Sequence, residues 1–234
     1  MKPSIVITGA GQRVGLALAK HYVAKRYQVI VSYRSHRAGV DELRELGVIC
    51  IQADFAHQQG IDDFIAQVQA NTTTIRALIH NASDWAAEKH SPDLAGLMTQ
   101  MMQVHVQVPY QINHALAPLL LASEQADIIH FTDYVADKGS QKHMAYAASK
   151  AALANLTLSF AAKLAPKVKV NSIAPALLMF NQGDDDAYKS KALAKSLMGL
   201  APGEQEAVAC VDYILRSQYI TGRTLHLDGG RHLV

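Results

Sequence analysis

Three side chains between Asp133 and Lys150 have the types and spacing for proton chemistry. Met144 is followed by Ala145, Ala147, Ala148, Ala151, Ala152 and Leu153, which favour helix. A helix there sets Tyr146 and Lys150 one turn apart on one face. Tyrosine alone loses its proton near pH ~10, and a cation within ~4–6 Å stabilises the phenolate and lowers that value. Tyr146 is therefore a candidate acid tuned by Lys150, and Asp133 adds a carboxylate just upstream. The same residues also suit plainer roles. Tyr and Lys four apart occur on ordinary surface helices, and an Asp at a turn caps local N–H groups. The elements around the stretch must decide.

Those elements have to be built by 234 residues of 50% hydrophobic content, enough for one sizeable core and a single domain over 1–234. A net charge of +2 with no basic block, and 6% aromatic content, argue against a nucleic-acid binder. Cys50 and Cys210 match no metal or redox spacing, and the eleven histidines form no ligand pattern, so no metal is expected. Met1-Lys2-Pro3 runs straight into Ser4-Ile5-Val6-Ile7-Thr8, and no apolar run reaches the ~18 residues of a membrane span. A cytoplasmic location, with neither signal peptide nor membrane association, is the expectation.

The β-branched run Ile5-Val6-Ile7-Thr8 gives way to Gly9-Ala10-Gly11-Gln12-Arg13-Val14-Gly15 and then to a helical segment. Strand, glycine-rich turn and helix form a site where a pyrophosphate can approach a helix N-terminus, although a bare tight turn has a similar pattern. The second strand, Gln28 to Tyr33, ends in Arg34-Ser35-His36-Arg37. At that place an acid would bind the free ribose hydroxyl of NAD; Arg34 and Ser35, with Arg37, suit the phosphate of NADPH or simply a solvated loop. Helix Asp41 to Leu46, strand Val48 to Gln52, helix Ile61 to Gln69 and strand Ala77 to His80 continue the alternation, which predicts an α/β fold with a doubly wound parallel sheet. Asp54, followed by Phe55, could meet an adenine amino group or cap a helix. Asn81-Ala82-Ser83-Asp84-Trp85 leaves the fourth strand, where Trp85 is either a wall for a planar ring or a packing anchor. A helical segment from Leu94 to Leu121 is expected to break at Pro109 and Pro118. Strands 127–132 and 167–173 flank the Tyr146 helix. Residues 176–200 are of a size for a substrate lid, with Asp184-Asp185-Asp186 as a solvated helix start. Helix Gly203 to Ser217 and a strand from Arg223 to Leu227 complete the chain.

Taken together, Thr8-Gly9-x-x-x-Arg13-x-Gly15, Asn81-Ala82-Ser83, Tyr146-x-x-x-Lys150, Asn171-Ser172-Ile173-Ala174-Pro175 and Thr221-Gly222 with Asp228-Gly229-Gly230 resemble the short-chain dehydrogenase/reductase family. The resemblance implies a Rossmann fold, NADPH held by Gly9, Arg13, Val14, Tyr33, Arg34, Ser35, Asp54, Phe55, Asn81, Ala82, Tyr146, Lys150 and Pro175, and usually a homotetramer. Tyr146 would be the catalytic acid and Lys150 would hold the nicotinamide ribose. Three positions depart from the usual pattern: Asp133 replaces a serine, Arg13 replaces a glycine, and His105 takes the place of an asparagine. The first two departures, with Trp85, are similar to the pteridine reductase branch, and Ile128 to Tyr134 and Leu227 to Leu233 resemble its members that act on dihydromonapterin and also dihydrofolate. That resemblance implies a 7,8-dihydropterin substrate touching Arg13, Ser83, Trp85, Asp133 and Tyr146; His105 departs from the pattern and leaves the asparagine-to-water relay open, an imidazole being able to carry protons there instead.

Elementary chemistry favours the same substrate. A carboxylate beside a ketone opposes the negative charge that grows on oxygen as hydride arrives. A pterin instead offers a ring nitrogen that gains a proton and an amino group that donates hydrogen bonds. A carbonyl reductase of the same fold and a non-catalytic NADPH-binding regulator are the alternatives.

Overall fold

The β-branched runs all become strands. The computed structural model describes residues 3–234, so the reading of Met1-Lys2 lies outside the described residues. Among the described residues, the strands are β1 (Ser4–Thr8), β2 (Gln28–Tyr33), β3 (Ile49–Gln52), β4 (Ile75–His80), β5 (Ala126–Phe131), β6 (Val168–Pro175) and β7 (Thr224–Leu227). They form one parallel sheet in the order β3-β2-β1-β4-β5-β6-β7. The chain starts at β1, winds out to β3, then returns to β4 on the other side. The carboxyl ends of β1 and β4 therefore flank a crevice, the natural ligand site of such sheets.

Successive strand residues point to opposite faces, so each face needs its own cover. Ile5, Ile7, Val29, Val31 and Ile129 pack under Leu18 and Tyr22 of α1 (Arg13–Ala24) and Val211 and Ile214 of α9 (Glu204–Arg216). Val6, Ile30, Leu78 and Ile128 pack under Phe64 of α3 (Gln58–Asn71), Ile112 and Leu116 of α5 (Val108–Leu121) and Phe160 of α7 (Met144–Leu164). Burying each such aliphatic side chain contributes roughly 1.5–3 kcal/mol. Both faces are thus fixed before any polar group is placed.

The long helical segment does not break at its prolines. Helix α4 (Leu94–Met102) passes through a π-helical turn, Gln103–Gln107, directly into α5. Pro109 sits in the first turn of α5 and Pro118 inside it. Proline lacks an N–H and its ring crowds the carbonyl four residues back, which for Pro109 is that of His105. The helix widens there and carries His105 into the site. Helix α2 (Ala38–Glu45) starts earlier than its apolar pattern suggested, because its first turn carries Ala38 and Gly39 rather than large apolar residues.

Candidate active site

Thr132 and Asp133 leave β5 into the short helix α6 (Val135–Lys138), and a loop leads to α7. Tyr146 and Lys150 are buried on the inner face of α7. Tyr146 Oη donates to Asp133 Oδ2 at 2.9 Å. Lys150 Nζ donates to the Phe131 carbonyl at 2.8 Å and lies 5.6 Å from the centre of the Tyr146 ring. The other Asp133 oxygen accepts from Val135 N–H at 2.9 Å, so the carboxylate both caps its turn and holds the phenol.

This geometry corrects the expectation that Lys150 lowers the Tyr146 pKa. Burial raises it, and the charge of Asp133 and the hydrogen bond to it raise it further, while Ser83 pulls slightly the other way. Lys150 is lowered to about 8 by burial, against the attraction of Asp133. Burial also raises Asp133, opposed by Val135 N–H, Tyr146, Lys150 and Arg231. A phenol and a carboxyl of weakened acidity stand within proton-transfer distance of each other, with an ammonium of strengthened acidity close by.

His105 does not act as a charged relay here. Asp84 N–H points at its Nε2 from 3.2 Å, so that nitrogen accepts, and Nδ1–H donates to Ser149 Oγ at 2.8 Å. Ser149 in turn donates to the Tyr146 carbonyl at 2.8 Å, and Ser83 Oγ–H reaches the same Nε2 at 2.9 Å. Burial, helped by the Lys150 charge, pushes the imidazole down to about 2. It stays neutral and props Ser83, with its ring edge-on to Tyr146 at 5.4 Å.

The loop after β4 is pinned at its far end too. His143 Nδ1–H donates to the Ala86 carbonyl at 3.0 Å, and Ala145 N–H of the first turn of α7 donates to Glu88 Oε1 at 2.8 Å. An acid suits that helix N-terminus. Trp85, 63% exposed, rests against His143 with ring centres 4.2 Å apart. A flat aromatic surface is therefore presented beside the N-terminus of α7.

From Ser83 and Trp85 a groove of about 530 Å³ runs past Gly9, Arg13, Val14, Asn81 and Ala82 to Tyr33, Arg34, Ser35, Asp54 and Phe55. Asp133, Tyr146, Lys150 and Pro175 are not among the residues that line it; the Pro175 carbonyl accepts from Tyr134 N–H, next to Asp133, at 3.1 Å. The floor of the groove is built from close approach. Gly9 has φ +70°, and a Cβ there would sit 2.7 Å from Ala82 Cα; one at Gly15 would sit 2.4 Å from the Gly9 carbonyl. Asn81 Nδ2 donates to that carbonyl at 2.8 Å, and Thr8 Oγ1 accepts from Asn81 and Ala82 N–H.

Several groove residues have partners that the sequence did not suggest. Arg13 adopts φ +55°, rare without glycine, and reaches across to Asn181 Oδ1 at 2.7 Å and the Met179 carbonyl at 3.4 Å. Arg34 pairs with Asp84 at 3.2 Å. Tyr33 Oη accepts from Arg44 at 2.8 Å, Asp54 caps Ala56 N–H at 3.1 Å, and Phe55 packs edge-on against Phe64. The segment that follows β2 carries no acidic residue of its own, and Arg34, Ser35 and Arg37 line the groove, with Asp84 of the loop after β4 held against Arg34. Its donor set fits a dinucleotide carrying an extra phosphate.

Sequence reasoning missed one buried polar chain. His80 Nε2–H donates to Asn113 Oδ1 (2.8 Å), Asn113 Nδ2 to His130 Nε2 (3.1 Å), and His130 Nδ1–H to Thr157 Oγ1 (2.9 Å). The signal was two histidines at the ends of strands that pair directly, His80 against His130.

The chain matches the short chain dehydrogenase family over residues 3–183. It is 57% identical over 231 residues to a dihydromonapterin reductase of Klebsiella pneumoniae, covering 98% of this chain and 96% of that protein. The corresponding figures for dihydromonapterin reductase of Escherichia coli K12 are 56%, 98% and 96%. Among solved structures, an apo SCOR enzyme from Clostridium thermocellum superposes with a TM-score of 0.90 at 21% identity, covering 100% of this chain and 94% of that one. FolM alternative dihydrofolate reductase 1 from Brucella canis, complexed with NADP, gives 0.88 at 24% identity, with 99% and 94% covered. On its motifs, its sheet and these relatives, the chain belongs to the short chain dehydrogenase family.

Proposed function

We propose that the protein reduces 7,8-dihydropterins to tetrahydropterins with NADPH, dihydromonapterin and dihydrofolate among them. The observation that carries this reading is the 2.9 Å bond from Tyr146 Oη to Asp133 Oδ2. A ketone reductase needs the phenol hydrogen aimed at substrate oxygen. Here a carboxylate takes it. A ring nitrogen that must gain a proton is served by a carboxyl–phenol pair, and the dihydromonapterin reductases are close relatives in sequence.

NADPH, when bound, supplies a hydride to C6 of the pterin. Arg34, Ser35 and Arg37, which line the groove, would hold its extra phosphate, and Gly9 would open the turn for the pyrophosphate. The Asp133–Tyr146 pair gives the proton that N5 gains, directly or through water, so that hydride and proton together saturate the C6–N5 bond. Lys150, buried beneath, carries the positive charge that offsets the negative charge left on the pair. Trp85 offers the wall against which the pterin ring lies, and Arg13 stands where phosphate and ring oxygen meet.

The protein works as a cytoplasmic homotetramer in this reading. No helix among the described residues is long and apolar enough to cross a membrane. Tyr110, Leu121 and Leu158 expose apolar area on α5 and α7 that subunit contact would cover. Native mass measurement tests the subunit number.

The test of function is NADPH consumption with each dihydropterin and a ketone control, using the wild type and Asp133→Ser. Turnover of dihydropterins that falls at least tenfold in the variant supports the reading. Ketone turnover preserved or improved by the serine favours a carbonyl reductase, and consumption with neither substrate favours an NADPH-binding regulator.

A further inference from the structure

Several cations of the lid and the C-terminal tail gather near Asp133 without forming ion pairs, although the Arg231 charge reaches the Asp133 carboxyl. Lys191 lies on α8 (Asp186–Leu193), and Lys195 follows one turn later, its N–H bonded to the Ala192 carbonyl. Arg231 opens the C-terminal 3-10 turn, Arg231–Leu233. Its guanidinium sits 4.7 Å from the centre of the Tyr134 ring, and Lys138 approaches the same ring at 6.0 Å. Tyr134 is the residue after Asp133, so these charges stand at the edge of the reacting site.

Lid and tail are one packed unit. Met198 N–H donates to the Gly229 carbonyl at 3.0 Å, and a Cβ at Gly230 would come within 3.1 Å of Leu197. Lys195 is lowered by burial and then by the charges of Arg231, Lys191 and Lys142, the last from the loop before α7. Among the described residues, no carboxylate oxygen lies within 4.0 Å of Lys138, Lys142, Lys191, Lys195 or Arg231. Three nearby acids are engaged elsewhere, Asp228 with His232 at 2.6 Å, Asp137 with His226 at 2.8 Å, and Asp185 with Tyr188 N–H at 2.7 Å, while Glu206 shares a cavity wall with Arg231 and Asp133 feels the Arg231 charge. Clustered like charges without counter-ions are costly in the free protein, and an anion relieves that cost.

Beside them is a cavity of about 380 Å³, walled by Leu177, Met198, Leu200 and Leu227, with Arg231, Glu206 and Asp228 also lining it, so that the cavity suits the ring and the lysines outside it suit the carboxylates. An apolar cavity of ~150 Å³ already takes benzene, so an aryl ring fits with room to spare.

We infer that this cavity and the cations of lid and tail form a subsite for an aryl tail ending in carboxylates, which adapts the enzyme to dihydropterins of the folate type. The inference rests on the dihydropterin reading above and adds to it the chemistry of the tail. A short polyol tail uses neither the apolar wall nor the charges.

The test compares dihydrofolate with dihydromonapterin in the wild type and in the double variant Lys191→Glu, Lys195→Glu. The KM for dihydrofolate is expected to rise about tenfold with kcat held within about twofold, and the ratio of kcat/KM between the two substrates to fall by a similar factor. In the wild type, added KCl raises the dihydrofolate KM more than the dihydromonapterin KM. An unchanged ratio, or equal loss on both substrates, overturns the subsite. The milder Lys191→Gln, Lys195→Gln pair replaces the reversal if circular dichroism shows misfolding. Should no dihydropterin be turned over, the functional reading fails by itself. Calorimetric titration with p-aminobenzoylglutamate then decides the subsite: millimolar binding that is lost in the double variant keeps it, and no binding removes it.

Discussion

Asp133 and Tyr146 share one hydrogen bond in a buried setting that weakens both acids. Replacing Tyr146 with Phe removes the phenol hydrogen and leaves the ring. We expect kcat/KM to fall by roughly 10²–10⁴, the usual worth of a positioned proton donor. Thermal stability should change by no more than the ~0.5–1.5 kcal/mol of one hydrogen bond. Full activity in that variant would remove Tyr146 from the reaction. Lys150 makes a second prediction. Its pKa in the free protein is about 8, so the ammonium is present below that pH and lost above it. A plot of kcat/KM against pH should decline on its basic side near that value, and Lys150→Arg should move the decline upward beyond reach. A profile flat to pH ~10 would mean that the charge on Lys150 is irrelevant. The candidate trio was legible in the sequence because Tyr146 and Lys150 are one helical turn apart. Their energetics were not, since the sign of the Tyr146 shift depends on which oxygen its hydroxyl meets across thirteen residues.

The loop after β4 is the element through which two sites meet. Ser83 and Asp84 lean on His105, Asp84 also grips Arg34 at one end of the groove, and Glu88 caps α7 at the other. Arg34 cannot give itself fully to a cofactor phosphate while Asp84 holds it. Asp84→Asn should therefore tighten NADPH binding by about 1.5–5-fold, the span of an exposed ion pair worth ~0.2–1 kcal/mol, and leave NADH binding unmoved. Fluorescence titration with the two cofactors reads the difference; weaker NADPH binding in the variant would show that Asp84 assists rather than competes. None of this could be seen in Asn81 to Glu88 alone. The strands were legible from runs such as Ile5-Val6-Ile7 because burial on both faces demands continuous apolar residues. The π-helical turn was not, because Pro109 reads equally as a break or as a first-turn residue until the neighbouring helix is packed.

At the scale of the whole molecule, three imidazoles are sealed in the interior. Burial lowers His80 to about 4, His105 to about 2, and His130 well below its ordinary value. In the unfolded chain each titrates near pH ~6.5. Between pH ~6.5 and about 4 the unfolded state therefore binds more protons than the folded one, and stability falls as pH falls. Urea midpoints should drop steadily through that window, by more than in Asn113→Leu, His80→Leu, His130→Leu, if that triple variant folds; equal slopes would place the acid sensitivity elsewhere. The Arg76–Asp127–Lys169 cluster and the His80–Asn113–His130 chain join elements far apart in sequence, which is why no local pattern announced them.

Those sealed imidazoles also tie heat to solvent chemistry. Because they take up hydrogen ions only when the chain opens, melting in mild acid draws them from the buffer, and the buffer's own ionisation heat joins the measured enthalpy. Calorimetric traces at pH ~5 should then differ between acetate and an amine-type buffer by several ionisation enthalpies, although the protein and its midpoint are the same.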